Sequence, residues 1–181
     1  TAGAAFLRGT DLTIRNTLFE NNYAVAYAGA VEFYDDCDVI NCTFTNNTAS
    51  HAGATFNYGH ANFVDCSFIG NRAIKNEVYD DYIDGAGGAI YAMNTTIANC
   101  TFTYNEGTLG AAIFIAANGT DVDKCLFINN TNGYNGVICS VAAIAKVSNS
   151  IFLNNNVGSY DISAIYEGIV ADYNWFGNIW Y

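Results

Sequence analysis

Apolar residues along this chain follow neither helical spacing nor a long simple alternation; they come in short runs that recur at a nearly fixed period. Six segments read Phe-x-x-Asn: Phe19, Phe44, Phe68, Phe102, Phe127 and Phe152 are each followed three residues later by Asn22, Asn47, Asn71, Asn105, Asn130 and Asn155. The steps from one phenylalanine to the next, and equally from one asparagine to the next, are 25, 24, 34, 25 and 25. Five residues before each phenylalanine stands another apolar side chain, namely Ile14, Val39, Phe63, Ile97, Val122 and Val147. A third series sets a small residue before an alanine or valine, as in Gly29-Ala30-Val31, Gly53-Ala54-Thr55, Gly88-Ala89-Ile90 and Gly136-Val137-Ile138, with Ser163-Ala164-Ile165 as its last member. Short apolar runs broken by Gly, Asn and Asp are strand and turn signals, and no stretch keeps an i, i+3, i+4, i+7 pattern.

Such a period predicts stacked supersecondary units. Each unit reads as one coil of short strands joined by bends, and the coils stack at the strand spacing of about 4.8 Å. The expected fold is all-β, a parallel β-helix of about seven coils of roughly 25 residues, forming one domain over residues 1–181. Stacking sets each residue type above itself. The ladder asparagines Asn22, Asn47, Asn71, Asn105, Asn130 and Asn155 therefore read as structural, bonding their own bend and the next coil.

Composition fits one sizeable core: 51% of the 181 residues are hydrophobic and there is no proline to interrupt a strand ladder. A net charge of −11 with only six Lys and Arg argues against nucleic acid and anionic membranes as partners. No apolar run reaches the roughly 18 residues of a membrane span. The chain opens at Thr1 with no signal-peptide pattern, which suits a processed protein or an excised segment.

Four of the six cysteines, Cys42, Cys66, Cys100 and Cys125, stand two residues before a ladder phenylalanine and so form one column. Three readings are open for them: buried thiols acting as small hydrophobes, disulfides between neighbouring coils, and a zinc site. Cys37 and Cys139 fall in other columns and are expected to be free.

The units Asn41-Cys42-Thr43-Phe44-Thr45-Asn46-Asn47-Thr48-Ala49 and Gly87-Gly88-Ala89-Ile90-Tyr91, with the closing Asp172-Tyr173-Asn174-Trp175-Phe176-Gly177-Asn178, resemble the adhesin-like surface proteins of methanogenic archaea. The paired Gly-Gly-Ala-Ile and Phe-x-x-Asn signatures are also similar to repeats of chlamydial polymorphic outer-membrane proteins. The resemblance covers essentially the whole chain, and Phe176 stands where the archaeal group often has a second tryptophan. It implies a right-handed, pectin-lyase-like β-helix displayed outside the cell or on its surface. Asn41, Asn46, Asn94, Asn99, Asn118 and Asn129 each open an Asn-x-Ser/Thr sequon, so they are candidate glycosylation sites of an exported protein.

Two features go beyond coil building. The long interval between Phe68 and Phe102 contains an inserted loop near residues 75–85, Lys75-Asn76-Glu77-Val78-Tyr79-Asp80-Asp81-Tyr82-Ile83-Asp84-Gly85. An interruption of a regular solenoid is where function is expected. Tyr79, Asp80, Asp81, Tyr82 and Asp84 are the candidate ligand-binding residues, the tyrosines as platforms for sugar rings. Glu77, Asp80, Asp81 and Asp84 are candidate calcium ligands, at a spacing that is not an EF-hand; no other cofactor is implied. The second feature is a column of Phe6, Glu32, Phe56, Tyr91, Phe114, Cys139 and Tyr166, which faces either the core or solvent.

Three function classes compete. The first is a non-catalytic extracellular adhesion or scaffold module, whose partner is a glycan or protein on another cell. The second is a polysaccharide lyase or glycoside hydrolase, which requires a convergent set of acid, base or cation. The third is a filament subunit that associates head to tail through unpaired coil edges.

Overall fold

The computed structural model describes residues 2–75, 84–131, 134–141, 144–158, 160–165 and 168–177. Three parallel sheets of seven strands each run the length of the described chain. The first consists of Ala5–Leu7, Val31–Phe33, Thr55–Asn57, Ile90–Met93, Ile113–Ala117, Ile138–Ser140 and Ile162–Ala164. The second consists of Leu12–Arg15, Cys37–Ile40, Ala61–Val64, Thr95–Ala98, Thr120–Asp123, Ala145–Ser148 and Ile169–Asp172. The third consists of Leu18–Glu20, Thr43–Thr45, Ser67–Ile69, Thr101–Thr103, Leu126–Ile128, Ile151–Leu153 and Trp175–Gly177. Each rung contributes one strand to every sheet, so the stack of rungs is an all-β parallel solenoid. Thr48–Ala49 and Arg72–Ala73 add a short fourth pairing.

Inward side chains stack in register. Ring centroids in the column Phe19, Phe44, Phe68, Phe102, Phe127, Phe152 and Phe176 are 4.7 to 5.0 Å apart. The spacing of the rings is thus the spacing of the strands. Ile14, Val39, Phe63, Ile97, Val122 and Val147 form the facing column, paired in register through the second sheet. Phe63 meets Phe44 and Phe68 edge-on across the lumen. At the last rung the register differs from the sequence alignment: Ile138 pairs with Ile162 and Cys139 with Ser163, so Ser163-Ala164-Ile165 is shifted and Ser163 takes the outward position beside Cys139; Tyr166 lies outside the described residues. The shift keeps Ile162 packed on the apolar core beneath Ile138.

Two corners per rung are built by residues in the left-handed region. Asn16, Asn41, Asp65, Asn99, Lys124, Asn149 and Tyr173 take φ of 49° to 56° between the second and third sheets. Asn21, Asn46, Gly70, Tyr104, Asn129 and Asn154 take φ of 50° to 62° after the third. Asparagine tolerates this backbone better than most residues. The recurrent Asn-Asn pairs therefore divide the labour: the first residue turns the chain, and the second points inward as the ladder asparagine.

Each ladder asparagine is self-complementary along the axis. Asn71 Nδ2 donates to Asn105 Oδ1 at 3.0 Å and to the Phe44 carbonyl at 2.9 Å, while its backbone N–H donates to the same Asn105 Oδ1. The same bonds recur from Asn47 to Asn71, from Asn105 to Asn130 and from Asn130 to Asn155. Asn47, Asn71, Asn105 and Asn130 are fully buried, so the amides have no access to water. Where backbones approach most closely only glycine fits: a Cβ on Gly53 would lie 1.9 Å from the Gly88 carbonyl oxygen.

The insertion does not disturb the ladder. Phe68 pairs directly with Phe102 across the long interval, and the described chain leaves the rung at Lys75 and is taken up again at Asp84.

Asn71→Ala and Asn105→Ala should each destabilise the rod by about 1 to 3 kcal/mol, because donors of the neighbouring coil lose their acceptor in a dry site. Denaturant titration checks this, and an unchanged midpoint in both variants contradicts the ladder's energetic role. Tyr104→Asn should act in the opposite sense. It replaces an exposed tyrosine at φ 57° by a residue suited to that backbone, with an expected gain of about 1 kcal/mol.

Candidate binding face

The column Phe6, Glu32, Phe56, Tyr91, Phe114 and Cys139 lies on the opposite side of the first sheet from the core. Val31 and Phe33 point into the main cluster, so Glu32 between them points away from it. The column is nevertheless buried from Glu32 to Cys139, because a second apolar layer with Met93, Leu109, Ala116 and Val141 packs over it. Neither sequence alternative describes this arrangement: the column faces outward and is roofed along most of its length.

At the first three rungs the roof is aromatic and partly open. Tyr27, Tyr34 and Tyr58 remain 38%, 43% and 39% exposed, and Phe6 54%. Their rings form a connected patch, with Phe6 6.0 Å from Tyr34, Tyr34 5.5 Å from Tyr58, Tyr58 4.8 Å from Phe56 and Tyr27 5.3 Å from Phe56. Phe56 in turn stacks on Tyr91 at 4.2 Å. The Arg8 guanidinium lies 4.8 Å over the Tyr34 ring. Burial, helped by the neighbouring Tyr27, Glu32 and Tyr34, pushes the Tyr58 phenol up to about 12, so its proton stays on at any physiological pH.

Beside this patch, where the chain turns from the first sheet to the second, is a cleft of about 670 Å³ lined by Asp11, Tyr34, Asp35, Asp36, Asp38 and His60 among others. Three of the carboxylates are fixed through one oxygen. Asp35 Oδ2 accepts from the Gly9 N–H at 2.9 Å, Asp36 Oδ1 from the His60 N–H at 2.9 Å, and Asp38 Oδ1 from Asn62 Nδ2 at 3.0 Å. These bonds hold the groups in place along the cleft. No set of three His, Cys, Asp or Glu side chains among the described residues converges as a metal site.

Of the inserted loop's candidate residues, Glu77, Tyr79, Asp80, Asp81 and Tyr82 lie outside the described residues. Asp84 is described, and it is not an exposed ligand group. Its side chain is fully buried, and its carboxylate faces His51 Nε2 at 3.8 Å. The His51 ring lies 5.2 Å from Tyr27. Asp84 therefore roots the loop beside the tyrosine patch. The sequon residues Asn41, Asn46, Asn94, Asn99 and Asn129 all take left-handed corners, which accounts for the recurrence of asparagine there; Asn118 sits in an exposed turn.

Sequence reasoning missed the tyrosine patch and the cleft. The signal was present: Tyr34 and Tyr58 stand one coil apart, each directly after a strand of the first sheet, and Asp35, Asp36 and Asp38 follow the first of them.

Residues 65–93 match the Chlamydia polymorphic membrane protein (Chlamydia_PMP) repeat. The match contains both Phe68-Ile69-Gly70-Asn71 and Gly87-Gly88-Ala89-Ile90, the two signatures that build successive rungs. No curated protein and no solved structure matches the chain.

All six cysteines are buried free thiols. Cys42, Cys66, Cys100 and Cys125 stack as one column, and each thiol contacts the carbonyl oxygen two residues before it, for example Cys66 with Val64 at 3.4 Å. Hydrogen bonding to Cys100, with burial, holds the Cys66 thiol far above its usual value, and Cys125 does the same for Cys100. Burial is the leading cause at Cys37 and Cys139, both pushed up to about 11. The folded chain thus keeps protons that the unfolded chain releases above the thiols' ordinary value near 9. Stability should be insensitive to these groups below about pH 9 and fall as pH rises from about 9 to 11. Urea midpoints at pH 7, 9 and 10.5 test this, and a flat profile contradicts it.

Proposed function

We propose that this chain is a non-catalytic recognition module displayed on the cell surface, a rigid rod that presents a binding face to a glycan or protein of another cell. The observation that carries the reading is the tyrosine patch. Phe6, Tyr27, Tyr34 and Tyr58 stay substantially open to water on a fold that buries the ladder phenylalanines from Phe44 to Phe152, and they stand between an acidic cleft and the root of the inserted loop. An exposed aromatic cluster of this kind is an interaction signature. Surface display is supported by the match of residues 65–93 to a membrane-protein repeat and by the exposed sequons Asn41, Asn46, Asn94, Asn99 and Asn118.

The enzymatic alternative lacks a comparable arrangement among the described residues. The cleft aspartates are held by backbone and amide donors, and no lysine or arginine lines the cleft. Arg72 is paired with Glu106 at 2.7 Å and Lys124 stands against Asp123 at 3.6 Å, both on the outside of the rod.

The inserted loop is proposed as part of the binding face. Tyr79→Ala combined with Tyr82→Ala should abolish adhesion of the purified protein to cells or immobilised glycans while leaving the melting temperature nearly unchanged. Adhesion that survives the double substitution removes the loop from the binding face. Release of sugar fragments from pectin or alginate, lost on changing Lys75 or Asp81, establishes an enzyme in place of an adhesin.

A further inference from the structure

At the first three rungs the corner between the first and second sheets carries one planar side chain per rung. Tyr34 N–H donates to the Leu7 carbonyl and Tyr58 N–H to the Phe33 carbonyl, which puts Arg8, Tyr34 and Tyr58 at equivalent positions of successive rungs. The Arg8 guanidinium lies over the Tyr34 ring at 4.8 Å, and the Tyr34 and Tyr58 rings are 5.5 Å apart with their planes inclined by 46°. An extended pyranose chain advances by about one ring over a comparable length, close to the rung spacing of about 4.8 Å. A polysaccharide laid along the rod axis over these three rungs therefore meets a planar side chain at successive sugars, each turned relative to the last.

Charge narrows the choice of polymer. Asp35, Asp36 and Asp38 each have one carboxylate oxygen already fixed by a protein donor, so the second is oriented before any ligand arrives. Acceptors held in this way suit hydroxyl or ammonium donors and repel carboxylates and sulfates, and the whole chain carries −11. The tyrosines supply the apolar contact that the C–H face of a pyranose needs, with little side-chain entropy lost on binding.

We infer that this corner binds a neutral or amino-bearing polysaccharide along the rod axis, about one pyranose per rung, stacked on Tyr34 and Tyr58 and hydrogen-bonded to the aspartates of the cleft. The inference rests on the reading of the chain as a surface recognition module and names the ligand class and the place.

Affinity electrophoresis of the full chain tests it in gels containing hydroxyethylcellulose, glycol chitosan or polygalacturonate, with polylysine binding measured separately. Retardation is expected with the first two polymers and not with polygalacturonate. Tyr34→Ala with Tyr58→Ala should weaken retardation about tenfold or more in protein that circular dichroism shows to be still folded at the assay temperature, while Tyr34→Phe with Tyr58→Phe preserves most of it. Asp35→Asn with Asp36→Asn should reduce the preference for the amino polymer without removing retardation by the neutral one. No retardation by either polymer overturns the inference, as does retardation that the alanine pair leaves intact, or binding to polylysine alone. Cell adhesion of the unaltered chain, measured alongside, separates the two proposals: adhesion without retardation by any of the polymers overturns this site and leaves the surface module standing.

Discussion

Every inward side chain of this rod must tolerate a copy of itself, or a close substitute, one strand spacing away. Parallel in-register stacking imposes that condition, and few chemistries meet it. A phenylalanine does, because offset rings at 4.7 to 5.0 Å attract one another. Asparagine does, because its amide carries a donor and an acceptor on one group, and a chain of them leaves no polar atom stranded between coils. A charged residue fails the test, because like charges one strand spacing apart repel each other. On the outside the condition is looser, and columns there pair unlike groups, as with Arg72 and Glu106.

Self-stacking also explains what could be read from the sequence. The coil count, the apolar columns and the inward asparagines all follow from residue types recurring at a fixed phase, which is visible before any coordinates. The long interval after Phe68 was equally legible as an insertion, because the phase resumes unchanged at Phe102. The last rung was not, since Ser163-Ala164-Ile165 matches the small-residue pattern while Ile162 is the residue that packs beneath Ile138. Pattern alone does not choose between Ile162 and Ile165; the strand register does.

The outward aromatic column was harder for a related reason. Periodicity assigns side chains to one face of a strand or the other, but it does not say what covers the outer face. Here the segments that join the third sheet to the first carry Ala28, Ala52, Ala86 and Leu109 and form a second layer over Phe56, Tyr91 and Phe114. Glu32, which would be out of place if the column faced the core, stands in this outward column.

That second layer also sets where a binding face can lie. From Tyr91 to Cys139 the outer column is sealed, whereas at the first three rungs the covering side chains are themselves aromatic and only half buried. The described chain breaks off at Lys75 and resumes at Asp84 at the end of this open stretch, with Asp84 held under the surface against His51 and the His51 ring against Tyr27. The cleft aspartates stand at its other side, fixed by backbone donors of the neighbouring rungs. A regular solenoid offers the same surface at every rung and so distinguishes no place along its length. Recognition at one place, as proposed above, requires the repeat to be broken, and this chain departs from it by the residues added between Lys75 and Asp84 and by tyrosines at the first rungs where later rungs carry a closed roof.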